Sequence, residues 1–124
     1  MSTPRDICIL VVENDTAFRR VVVTMLERSG FNVLAASDFA EAAAVIEGAR
    51  QIDLLLADAG LAPQAPDRPS IADFAKLRRP SLRIVYMSSS YDSQQVVGLV
   101  EGASFLAKPF RSKRLIQSVE TALA

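Results

Sequence analysis

Five short apolar runs alternate along this chain with stretches whose apolar residues recur at helical spacing. The runs are Ile7 to Val12, Asn32 to Ala36, Leu54 to Ala57, Arg83 to Met87 and Phe105 to Ala107. They are largely apolar on successive residues, which suits strands buried between two helix layers. After Asp15, a candidate N-cap, Ala17, Phe18, Val21, Val22, Met25 and Leu26 repeat with helical period until Ser29 and Gly30 end the pattern. Asp38 opens a second helix with Phe39, Ala42, Ala43 and Ile46 on one face and Gly48 near its end. A third stretch covers Ile71 to Arg78 and stops before Pro80. Asp92 to Glu101 carries Val96, Val97 and Val100, and Ser112 to Leu123 carries Leu115, Ile116, Val119 and Leu123. This strict β-α alternation, five times over, predicts an α/β fold: a doubly wound, three-layer sandwich on a parallel five-stranded sheet. The one irregular connection runs from Ala62 to Pro69, where Pro63, Pro66 and Pro69 remove backbone donors and disfavour a helix.

With 124 residues the chain is expected to form one domain over residues 1–124, with a real hydrophobic core since half its residues are apolar. Lys plus Arg and Asp plus Glu number 14 each, a balance that argues against an electrostatic binder of nucleic acid or of membranes. There is no histidine, so the commonest general base and the commonest transition-metal ligand are both absent. The one cysteine, Cys8, lies inside an apolar run and reads as core filler suited to a reducing compartment. The longest apolar run is far too short to span a bilayer, and the first residues lack the shape of a signal peptide. A soluble, cytoplasmic protein is the expectation.

In parallel sheets of this kind ligands bind beyond the carboxyl ends of the strands. Polar residues collect there: Glu13, Asn14 and Asp15 after the first strand, Asp58 after the third, Ser88, Ser89 and Ser90 after the fourth, Lys108 and Pro109 after the fifth. The second strand ends in Ala35, Ala36 and Ser37, which suits an outer position. An aspartate, an acidic pair, a hydroxyl and a lysine on one sheet edge make a phosphate-handling site without a glycine-rich loop. The carboxylates can hold Mg2+ against phosphoryl oxygens, the lysine adds a fixed positive charge and the serine a hydrogen bond.

Four segments carry a family resemblance: Ile9 to Asp15, Asp53 to Asp58, Ile84 to Ser89 and Gly102 to Phe110. In this order, and over nearly the whole chain, the sequence resembles the receiver domain of two-component response regulators. The resemblance implies a sheet ordered 2-1-3-4-5, as in CheY-like and flavodoxin-like folds. It implies that Asp58 accepts a phosphoryl group from a phosphohistidine on a partner histidine kinase or histidine phosphotransfer protein, that Lys108 pairs with that group, and that Ser88 is the switch hydroxyl. Phe105 falls where the family has an aromatic switch residue, without the hydroxyl of a tyrosine. The Lys108–Pro109 bond is expected to be cis, an isomer open to proline at a cost of about 1 kcal/mol. Glu13, Asn14, Asp58 and the backbone carbonyl of Gly60 are the implied Mg2+ ligands. Signalling is expected by contact with a downstream protein, without direct nucleic-acid or membrane binding. The contact face would combine the stretch from Asp92 to Glu101, the fifth strand and the last helix, around Val96, Phe105 and Arg114.

Two departures stand out. Asn14 replaces the second carboxylate of the metal site, and loss of a charged ligand should weaken Mg2+. The register of Asp15 makes it a helix cap rather than a substitute. The family's proline beyond the acceptor is shifted to Pro63, and the proline-rich loop replaces the start of the third helix. Ser90 holds a position at which the family tunes dephosphorylation. The readings left open are a phosphorylatable receiver, which catalyses at most its own phosphorylation and dephosphorylation, and a pseudo-receiver that binds partners without phosphate because of Asn14. An unrelated flavodoxin-like enzyme or cofactor binder is disfavoured by the missing glycine-rich phosphate loop.

Overall fold

A computed structural model describes residues 6–59, 70–89 and 102–124. Along them run β1 (Cys8–Val12), α1 (Thr16–Arg28), β2 (Asn32–Ala36), α2 (Phe39–Glu47), β3 (Leu54–Asp58), α3 (Ile71–Arg78), β4 (Arg83–Ser88), β5 (Ser104–Ala107) and α4 (Ser112–Leu123). The strands form one parallel sheet in the order β2-β1-β3-β4-β5. The expected helix from Asp92 to Glu101, the proline-rich loop, Gly60, Ser90 and Val96 lie outside the described residues.

The order of the strands in the sheet explains their composition. β1, β3 and most of β4 are buried on both faces, whereas β2, at one edge, has only Ala36 buried. On one side of the sheet Leu10, Val12, Leu55, Ala57, Ile84 and Tyr86 pack with Ala42 and Ile46 of α2 and Ala72 and Ala75 of α3. On the other, Ile9, Val11, Leu54, Leu56, Val85, Met87 and Leu106 pack with Val22 and Leu26 of α1 and Leu115 and Val119 of α4. Successive residues of each central strand thus feed opposite layers, as the period-2 alternation of side chains requires.

Helix ends follow local chemistry. Asp15, Asp38 and Ser70 cap α1, α2 and α3 by accepting from the N–H of Phe18, Glu41 and Asp73. Gly30, with φ at 94°, closes α1: its N–H bonds to the Glu27 carbonyl, and the N–H of Phe31 to that of Leu26. That pair of bonds is a Schellman ending, which needs the left-handed conformation glycine adopts without strain. Arg79 donates to the carbonyls of Ile46 and Gly48 at 3.1 and 2.8 Å, tying the end of α3 to the end of α2. Two residues of the expected apolar face of α1 are exposed: Ala17, and Val21 at 51%. They sit on the flank of a face whose centre, Val22 and Leu26, already fills the layer. Among the described residues no helix is long and apolar enough to cross a membrane.

Candidate acidic site at the carboxyl edge of the sheet

Backbone pairing continues one residue past the strands and places the polar groups. The Glu13 N–H bonds to the Ala36 carbonyl at 3.1 Å, that of Ala59 to Met87 at 2.7 Å, and that of Lys108 to Ser88 at 2.7 Å. Glu13, Asp58, Ser88 and Lys108 are therefore anchored by the sheet itself, on a scaffold stiffer than a free loop. Asp58 ends β3 opposite Met87, and Ser88, buried, ends β4 opposite Ala107. The Lys108–Pro109 peptide is cis.

Three charges meet here. Lys108 Nζ lies 2.5 Å from Glu13 Oε1 and 3.6 Å from Asp58 Oδ2, with the side chains of Lys108, Glu13 and Asp58 exposed by 18, 1 and 17%. A carboxylate as buried as Glu13 is tolerable only when paired and hydrogen-bonded. Lys108 supplies the counter-charge, and the second oxygen, Oε2, accepts from the Asp15 N–H at 3.2 Å. Arg19 Nη1 donates to the Glu13 carbonyl at 2.7 Å. The face of Phe18 covers Lys108, with Nζ 4.5 Å from the ring centroid. Two carboxylates thus flank one ammonium, with the Arg19 guanidinium bonded to the backbone beside them.

Asn14 is exposed on the turn between β1 and α1, and Asp15 beside it is occupied with its own helix, Oδ1 accepting from Phe18 N at 3.0 Å. No group of three acidic, histidine or cysteine side chains placed to hold a metal exists among the described residues. The donors present, carboxylates of Glu13 and Asp58 and the amide oxygen of Asn14, are nonetheless all hard oxygens of the kind Mg2+ takes.

Other polar groups make contacts of their own. Glu41, in the first turn of α2, accepts from both the hydroxyl and the N–H of Ser37, and those bonds hold its carboxyl below the usual carboxylate range. Cys8 begins β1, at the strand end opposite the site, and burial pushes its thiol up, away from a reactive thiolate. Phe105 of β5, partly buried, lines a cavity of about 510 Å3 together with Arg114, Gln117 and Ser118 of α4.

Lys108 thus pairs with both Glu13 and Asp58, all three singled out in the sequence, and Ser88 adjoins Lys108 through the backbone. Asn14 borders the cluster without a carboxylate to offer. Phe18 and Arg19 were missed as site residues. Phe18 matched the helical apolar period, which does not distinguish a side chain over a lysine from one in the core.

A family profile described as "Response regulator receiver domain" matches residues 9–120. The transcriptional regulatory protein CpxR of Klebsiella pneumoniae is 31% identical over 118 residues, covering 93% of this chain and 48% of that protein. The chain therefore spans about half the length of such relatives. A response regulator receiver protein from Sinorhizobium medicae superposes with a TM-score of 0.79 at 26% identity, covering 94% of each chain. The receiver domain of the hybrid histidine kinase CckA does so at 0.74 and 30%, covering 94% of this chain and 99% of that one. Receiver domains are signalling modules of two-component systems, phosphorylated by histidine kinases or phosphotransfer proteins, and they generally bind Mg2+ at the phosphorylation site. The shared sheet order, the acidic edge and the near-complete match lead to one conclusion: this chain belongs to the response regulator receiver domain family.

Proposed function

We propose that this receiver accepts a phosphoryl group on Asp58 from the phosphohistidine of a partner kinase or phosphotransfer protein. In that step the N–P bond of the donor breaks, an O–P bond forms at Asp58 and the imidazole leaves. The observation that carries the reading is the meeting of Asp58 with Lys108 and buried Glu13 at the ends of different strands. Lys108 neutralises charge on the transferred group, and Ser88 offers a hydroxyl one residue beyond the register partner of Asp58. Bound Mg2+ would neutralise phosphoryl oxygens, held by Glu13, Asp58, the Asn14 amide oxygen and the Gly60 carbonyl. Asn14 weakens that binding because it brings an oxygen without charge.

Phosphorylation shifts a pre-existing equilibrium that reaches Phe105 and Arg114, and a cytoplasmic protein partner reads the altered face. The cavity between β5 and α4 supports that location, and the balanced charge supports a protein rather than DNA as the direct partner. The domain turns over no external substrate; its chemistry is its own phosphorylation and dephosphorylation. A second reading, a pseudo-receiver that binds its partner without phosphate, is favoured by one observation, the exposed and uncharged Asn14. Incubation with acetyl phosphate, with and without Mg2+, followed by intact mass, separates the two. The receiver reading expects the mass of one added phosphoryl group with Mg2+ present; an unchanged mass at every Mg2+ concentration favours the pseudo-receiver.

A further inference from the structure

Lys108 is held by three groups, and only two of them are charged. Its ammonium touches Glu13 Oε1, stands 3.6 Å from Asp58 Oδ2, and lies 4.5 Å from the centroid of the Phe18 ring. The ring is itself fixed. Asp15 accepts from the Phe18 N–H at 3.0 Å, which sets the backbone, and Phe110 packs perpendicular to the ring with centroids 5.5 Å apart. Arg19, next in sequence, grips the Glu13 carbonyl. The segment from Glu13 to Arg19 thus wraps the lysine from two sides, with Phe110 contributed by the same loop as Lys108.

A carboxylate and a π face hold an ammonium differently. Glu13 alone would draw Lys108 away from Asp58 and keep it there, because a close ion pair in a buried setting is strong and directional. The ring attracts the same charge through its quadrupole without consuming an N–H donor, so the donors stay available to oxygens on Asp58. We propose that Phe18 is a positioning residue for Lys108: its ring, braced by Phe110, keeps the ammonium between Glu13 and Asp58. Its effect on phosphoryl transfer acts through Lys108 and rests on the reading of Asp58 as acceptor.

The test uses Phe18→Leu, which removes the π face and keeps an apolar side chain, Phe18→Tyr, which keeps the face, and both changes in a Lys108→Met background. Phe18→Leu should slow labelling by acetyl phosphate about fivefold, the size of a partly desolvated cation–π contact at 1.4 kcal/mol per tenfold. Phe18→Tyr should restore the rate to within about twofold, and Phe18→Leu should add nothing in the Lys108→Met background, since coupled residues are not additive. In parallel, the Lys108 ε-methylene protons should be shifted upfield by the ring current in the wild type and in Phe18→Tyr, and return to ordinary positions in Phe18→Leu. Equal slowing in both backgrounds, an unchanged rate in Phe18→Leu, or ordinary ε-methylene shifts in the wild type would overturn the proposal. Should the wild type take no label at all, the reading of Asp58 as acceptor fails, while the ring-current shift still decides whether Phe18 holds Lys108.

Discussion

At the scale of single residues, the proposed Mg2+ binding turns on position 14. Glu13 and Asp58 are two carboxylates for one lysine, and a third carboxylate at position 14 would complete a strong cation site. Asn14→Asp is therefore expected to tighten Mg2+ binding by at least the ~10–100-fold typical of changes around a metal site. Calorimetric titration of the two proteins checks it; equal affinities would remove Asn14 from the metal site. The departure itself was visible in the sequence, because the residue type is read directly. What could not be read was the direct ion pair between Glu13 and Lys108, residues far apart in sequence that the sheet brings to 2.5 Å. Residue identity announces a charge and its strand end, but its partner depends on strand order and side-chain reach.

At the scale of elements, the boundaries follow from signals with a local cause. Asp15, Asp38, Gly30 and Gly48 punctuate α1 and α2 where the sequence places them, since capping and the left-handed turn are decided by a few neighbouring residues. The strands extend by a residue where pairing continues, as in β3, which includes Asp58, and β4, which includes Ser88. Periodicity misplaced Ala17 and Val21, because it marks an apolar arc without saying how much of that arc the neighbouring layer covers. Asp15 joins this scale to the site, for the cap that starts α1 also sets Phe18 beneath Lys108. Asp15→Ala is expected to cost about 1 kcal/mol of stability, the usual value for a lost N-cap. Urea denaturation measures it, and a midpoint equal to the wild type would show that the cap adds nothing.

At the scale of the whole molecule, the fold and the function are linked by sheet order. Placing β1 and β3 side by side at the centre, with β4 next, gathers the residues after those strands onto one edge. The helix layers bury both faces, so the charged groups that follow the strands gather at the carboxyl edge, with Phe18 packed over Lys108. Strict β-α alternation made the fold legible from the sequence, and the outer place of β2 was foreshadowed by its bland ending. Asp58, at this edge, is the proposed phosphoacceptor. Wild type and Asp58→Asn, each treated with acetyl phosphate and Mg2+ and compared by intact mass, test it directly. One added phosphoryl group is expected on the wild type and none on Asp58→Asn; equal labelling of both proteins would place the acceptor elsewhere.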